Sequence, residues 1–222
     1  MSQVAYVINL DHRPDRWRKM CELWSDELLL ERVSGILLPE DGRIQHHRAA
    51  DGLGQTHMKL YREAVARGDK TLLIMEDDCI PQPGWHKRWL EHKEWLDNNL
   101  DEWDIYNGGV HQLKKCYGVK EFSDSVMLDS YLGCASHFIY INCEAIERLL
   151  NWETHKMDID MWFCSTGFKL YCAYPILAKQ ANGQSNIIDE VRNFDFEYMR
   201  NECHFRKHLG KLYYKYAIKQ IE

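Results

Sequence analysis

The chain has 222 residues, 45% hydrophobic and 28% charged, with a formal net charge of −6 at neutral pH. That length and apolar content suffice for one sizeable core, and the acidic balance excludes a protein that binds nucleic acid with its whole surface, while leaving room for a local basic face. No stretch approaches the roughly 20 apolar residues that a bilayer-spanning helix needs.

The eight cysteines (21, 79, 116, 134, 143, 164, 172 and 203) form no CxxC pair and no zinc spacing. They read as reduced thiols, several of them small core side chains, in a cytoplasmic protein. The eleven histidines, His46-His47 included, are not spaced as metal ligands.

Val4–Leu10 reads as the first strand, with no basic lead and no small-residue cleavage site to mark a signal peptide. A polar loop follows, and Pro14 suits the first turn of a helix that continues to about Trp24. Arg13 and Arg16 at this strand-to-helix turn can grip a diphosphate together with the helix N-terminus, or can simply neutralise Asp11, Asp15 and Glu22. The second strand is expected around 30–33 and 36–38. Residues 39–55 read as loop, punctuated by Pro39, Gly42, Gly52 and Gly54. Thr56 is then the expected N-cap of a helix over 57–66.

The most informative stretch is next. Thr71–Met75 is too short for a helix and has the length of a buried strand. It runs into Glu76-Asp77-Asp78, and Pro81 forbids continuation as a central strand. Three adjacent carboxylates at the carboxyl edge of a parallel sheet sit where open α/β folds bind ligands. Their mutual repulsion calls for a cation, and a divalent metal shared with a substrate phosphate answers it. The plain alternative is a solvated acidic turn.

An amphipathic helix is predicted from Pro83 to Asn98, and a strand over 103–107 ends in Gly108-Gly109, which permit close approach of backbone to a ligand or merely a turn. Residues 110–132 lack periodicity and read as a loop, a candidate mobile lid. A strand is expected over 133–141, with Asn142 capping a helix over 143–151. Asp158 and Asp160 would face the same side of an extended segment; at a helix start Asp158 would cap, leaving Asp160 free. Strand-like segments flank Pro175, and 180–188 is a polar loop. Residues 204–219 interleave His, Arg and Lys with aromatics. They read as one basic amphipathic helix that either packs on its own domain or meets an anionic surface, lipid or nucleic acid.

Taken together, Val7–Arg16, Gly54–His57, Leu73–Asp78, Gly133–Ile141, Asp158–Asp160, Tyr174–Gln180 and Ser185-Asn186-Ile187 resemble glycosyltransferase family 25, which includes lipooligosaccharide and collagen galactosyltransferases. The ordered set carries the resemblance; no single motif does. It implies an α/β GT-A fold, a Rossmann-like, mostly parallel mixed sheet with helices on both faces, as a catalytic domain over 1–190 with a helical tail over 191–222. It also implies a metal-dependent, inverting glycosyltransferase with a UDP-sugar or related donor and a glycan, lipid-linked saccharide or protein acceptor.

Carried over, Glu76 and Asp78 would hold Mn2+ or Mg2+. Asp160, with Asp158 beside it, would be catalytic. Ile8, Asn9, Leu10, Arg13, Arg16, Thr56, His57, Asp77, Gly108, Gly109 and Gln180 would bind the donor. The chain departs from the family at Leu53, at Thr56, and at Asn186, where the family has an acid. A hydroxylated DNA base as acceptor, and an inactive nucleotide-sugar-binding module, are the alternative readings.

Overall fold

The computed structural model describes residues 3–111, 113, 115–131, 134–165, 167–184 and 191–217. The motif Ser185-Asn186-Ile187, Gly133 and Lys219 therefore lie outside the described residues. In chain order the elements are β1 (Val4–Asn9), α1 (Pro14–Trp24), β2 (Leu29–Ser34), α2 (Gln45–Arg67), β3 (Thr71–Glu76), β4 (Cys79–Pro81), α3 (Trp85–Asn98), β5 (Ile105–Asn107), β6 (Lys115–Glu121) and β7 (Val126–Tyr131). They continue with β8 (Phe138–Asn142), α4 (Ile146–Leu149), α5 (Ile159–Ser165), β9 (Leu170–Tyr174), β10 (Ala178–Gln180), β11 (Gly183–Gln184), β12 (Val191–Arg192), α6 (Asp195–Leu209) and α7 (Lys211–Ala217).

The main sheet has the order β2-β1-β3-β8-β5-β9-β7-β6. Tracing the pairings, β1, β2, β3, β5, β6 and β9 run one way, and β7 and β8 run against them. β1 aligns Ile8 with Glu76 of β3, so the tips of these strands are level. The connection through Asp77 and Asp78 leaves the main ladder, and Pro81 sits in a separate ribbon where β4 pairs antiparallel with β10. A proline that cannot donate to a central ladder is tolerated there.

Side-chain alternation sets the layers. Leu72 and Ile74 of β3, with Ile139 and Ile141 of β8, pack under α2, α4 and α5 through Met58, Leu60, Tyr61, Ile146, Leu149 and Phe163. Leu73 and Met75, with Phe138 and Tyr140, face the opposite way onto Met20 and Trp24 of α1 and Trp85, Trp89 and Leu96 of α3. Helices thus cover both faces, as the sequence predicts.

Three expectations are corrected. Within the expected loop over 110–132, residues 115–131 form not a lid but the β6–β7 hairpin, which extends the main sheet. Residues 45–55 are helix, so Thr56 is not an N-cap. It lies within α2, where its Oγ1 donates to Gly52 O (2.8 Å) and accepts from Ile36 N (3.0 Å). Gly52 and Gly54 are packing glycines: an added Cβ would lie 2.1 Å from Ile36 O and 2.3 Å from the Trp152 indole, respectively. The basic C-terminal segment is two helices broken at Gly210 (φ +53°), a backbone conformation that glycine adopts without steric cost. Phe205, Leu209 and Tyr216 bury against Val126, Leu128, Cys172 and Tyr174 of the sheet.

Candidate functional site

The strand tips open into a cleft of about 320 Å³. Of the residues singled out from the sequence, Ile8, Leu10, Arg16, Thr56, Glu76, Asp77, Asp78, Asp158, Asp160 and Gln180 line it. The lining combines apolar residues, among them Ile8 and Leu10, Ile36, Leu37 and the α2 residues Ala49, Ala50 and Leu53, with the carboxylates of residues 76–78, 158 and 160. That combination of apolar wall and few convergent polar groups is usual for small-molecule sites.

The three acids have different surroundings. Asp77 is fully engaged: Arg16 donates to its Oδ1 (2.8 Å) and Asn9 Nδ2 to its Oδ2 (2.7 Å). Asn9 in turn accepts from Arg32 Nε (2.7 Å), so Asp77 anchors a polar network behind the cleft. Glu76 accepts from Ser136 Oγ (2.6 Å), and burial followed by the nearby Asp78 raises its pKa. Asp78 is raised too, by burial and then by Asp77, with Arg16 at 3.9 Å and a hydrogen bond from the Gln180 side chain opposing. Its Oδ1 is buried without a hydrogen-bond partner. Buried like charges with an unsatisfied oxygen are costly unless a cation or proton joins them.

Asp158 precedes α5, beside His46 (3.6 Å), and Asp160 lies in its first turn. Asp160 Oδ2 accepts from the backbone N–H of Ala135 (3.0 Å) and Oδ1 from that of Met161 (2.7 Å). Burial raises its pKa. Ala135 has φ +85°, a strained conformation for a non-glycine residue. It is held from both sides, since Asn107 Nδ2 donates to its carbonyl (2.7 Å).

Five sequence-derived candidates lie elsewhere. Asn9 is buried behind Asp77. Arg13 pairs with Asp15 (2.8 Å) and lines a smaller adjoining cleft. His57 is fully buried in the core against Tyr61 and Phe163, and burial holds its pKa down to about 3. Gly108 and Gly109 are closed over by Phe138 and His137, at 2.4 and 2.0 Å from where a Cβ would stand. Their smallness serves internal packing, so the donor-contact reading of His57 and the glycine pair is corrected. Ser136, His111 and Phe194 do line the cleft but carry no local sequence signal; all three are brought there by long-range pairing.

Among the described residues no group of three or more His, Cys, Asp and Glu side chains forms a complete metal cage. The all-oxygen pair Glu76 and Asp78 instead suits a hard divalent cation whose remaining positions are filled by phosphate oxygens and water. The orphaned Asp78 Oδ1 is an observation that fits such an ion. Among the described residues no helix is long and apolar enough to cross a membrane.

No protein-family profile matches the chain, and no curated protein sequence matches it. Its structure is similar to that of a glycosyltransferase involved in the glycosylation of the major capsid of PBCV-1 (TM-score 0.51, 9% identity, covering 84% of this chain and 95% of that one). Weaker likenesses are to A197 from STIV (TM-score 0.42, 16% identity, 78% and 81% covered) and to mannose-1-phosphate geranyltransferase from Thermus thermophilus (TM-score 0.43, 9% identity, 82% and 77% covered). What the first of these establishes is architecture: the mixed α/β sheet of this chain is one that a glycosyltransferase also has.

Proposed function

We propose that the chain is a metal-dependent, inverting glycosyltransferase, similar to family 25, that moves a hexose or related sugar from a nucleoside-diphosphate donor, with a UDP-sugar as the leading candidate. The acceptor is a hydroxyl on a glycan, a lipid-linked saccharide or a protein side chain. The observation that carries this reading is the pair Glu76 and Asp78 at a parallel-strand tip, raised in pKa and under-satisfied, with Asp160 on the same cleft.

The apolar lining of the cleft, Ile8, Leu10 and Ile36 with Thr56, suits a nucleobase. Glu76 and Asp78 would hold Mn2+ or Mg2+, which supplies positive charge to the departing diphosphate. Arg16, kept in place by Asp77, adds a fixed guanidinium on the same side. Asp160 takes the proton of the acceptor hydroxyl as its oxygen bonds to the anomeric carbon. The bond from that carbon to the phosphate oxygen breaks, and its electron pair leaves with the diphosphate. Attack opposite the leaving group inverts the anomeric centre. Ser136 fixes the rotamer of Glu76, and the Ala135 amide fixes that of Asp160.

A thermal-shift screen of UDP-, GDP- and dTDP-sugars with and without Mn2+ tests this, since a ligand bound only by the native state raises Tm. A sugar nucleotide that raises Tm only with Mn2+, and does so no longer in Asp78→Asn, is the expected result. No shift with any donor, or an Asp78→Asn variant that responds like the wild type, overturns the reading.

A further inference from the structure

One wall of the cleft is left unused by the chemistry above. His111 and Phe194 line it, ring centroids 5.6 Å apart and planes tilted by 48°; His111 is buried, with Tyr198 4.5 Å away, and half-buried Phe194 is the more open of the two rings. The wall is assembled from distant parts of the chain. Asn201 of α6 donates to Val110 O (2.7 Å) and accepts from Leu113 N (3.1 Å), gripping the segment that carries His111. Tyr198 Oη accepts from Gln180 N (2.7 Å), and Asn182 Oδ1 accepts from Phe194 N (2.7 Å).

Further ties join the wall to the segments that carry both sets of carboxylates. On one side Ala181 N donates to Asp78 O (2.8 Å). On the other, His111 N donates to Cys134 O (2.8 Å), next to Ala135, whose N–H is bonded to Asp160. Phe194 and His111 line the same cleft as the acidic pair and Asp160, so a ring resting there shares the cavity with both.

We propose that the Phe194–His111 wall is the acceptor subsite and that it takes a sugar ring. Which hydroxyl reacts there rests on the glycosyl-transfer reading; the stacking itself does not. One face of a pyranose presents several C–H groups with partial positive charge, and an aromatic face carries partial negative charge. The equatorial hydroxyls then point sideways into a cleft that Gln180 and Asp160 also line. A nucleobase in DNA would also stack, but its phosphodiester backbone would meet the carboxylates of Glu76, Asp78, Asp158 and Asp160, and like charges across an interface repel.

Saturation-transfer NMR with methyl glycosides of galactose, glucose, mannose and N-acetylglucosamine, and with a short 5-hydroxymethylcytosine oligonucleotide, tests the assignment. Irradiating aromatic protons should transfer to the C–H protons of at least one glycoside in the wild type. The transfer should fall at least tenfold in Phe194→Leu, which keeps apolar bulk but loses the π face, and should persist in Phe194→Trp. Circular dichroism of each variant excludes misfolding as the cause. Equal transfer in Phe194→Leu, no transfer to any glycoside, or transfer to the oligonucleotide alone each overturns the proposal. The donor thermal shift is measured on the same samples. Loss of the donor shift with sugar stacking retained sinks the transferase reading and leaves the subsite; the reverse result does the opposite.

Discussion

Asp51, on α2, and the acids that end β3 are carboxylates taken out of water in one small domain, and their surroundings differ. Burial alone would raise Asp51, but the His155 amide (2.9 Å), the Arg43 guanidinium and the His155 ring hold it below the usual carboxylate range. Glu76 is answered by the Ser136 hydroxyl, and Asp78 by its own backbone amide, the Gln180 side chain and an arginine at 3.9 Å, yet both are pushed upward. The first arrangement is closed: it ties α2 to the segment leading to Asp158. The second is open, and its unanswered charge is the feature on which the proposed ligand site rests.

The sharpest way to break this comparison is at the proton acceptor. Asp160→Asn should lower kcat by roughly 10²–10⁴-fold while leaving donor affinity unchanged, as measured by steady-state kinetics and calorimetry. Near-wild-type turnover would exclude Asp160 as the base. Asp78→Asn should next remove cation-dependent donor binding, by about 100-fold or more, and should raise Tm without metal because a buried like charge is gone. A lower Tm without metal would mean that Asp78 is structurally satisfied, like Asp51.

Acid titration sharpens the contrast through histidines. His57, His92 and His137 are all held near 3 by burial, below the usual value of 6.5. The folded state then binds fewer protons than the unfolded one between about pH 6.5 and 3, so stability falls as the pH drops through that window. Each contributes about 1.4 kcal/mol per pH unit once well below pH 6.5. Glu76 has the opposite sign: its folded pKa is raised, so acidification favours the folded state through it. Glu76→Gln should therefore make urea-measured stability fall more steeply from neutral pH towards 5.

Asp51→Ala should cost about 2 kcal/mol, less than a fully buried pair because Arg43 and His155 are partly exposed. Tyr198→Phe, which removes the anchor of the Gln180 amide, should cost about 1 kcal/mol in the same assay. A neutral result for Asp51→Ala would remove the contrast between the closed and open arrangements.

What the sequence disclosed follows from how local each signal is. β1, α1, β3 and α3 were legible because an apolar run or an amphipathic period is bounded by Pro14, Glu76, Pro81 or Gly84. The start of α2 was hidden because Gly52 and Gly54 look like loop residues until Ile36 and Trp152 are packed against them. The β6–β7 hairpin was hidden because β6 is an edge strand with alternating exposure and a glycine in its middle. In the site, the acid triplet announced itself by composition. Ser136, His111 and Phe194 could not, since their places depend on β8 and α6 pairing with elements far away in sequence.

The grip of α6 on Gln180 and on the segment around His111 has a consequence for biosynthesis. The carboxylates at 76–78 leave the ribosome long before Tyr198 and Asn201 do, so a nascent chain can hold its sheet and its acids with one side of the cavity still absent. If the Phe194–His111 wall holds the acceptor as proposed, binding there waits on the late helix docking, and a polypeptide halted before residue 194 would be folded in part but lack that wall.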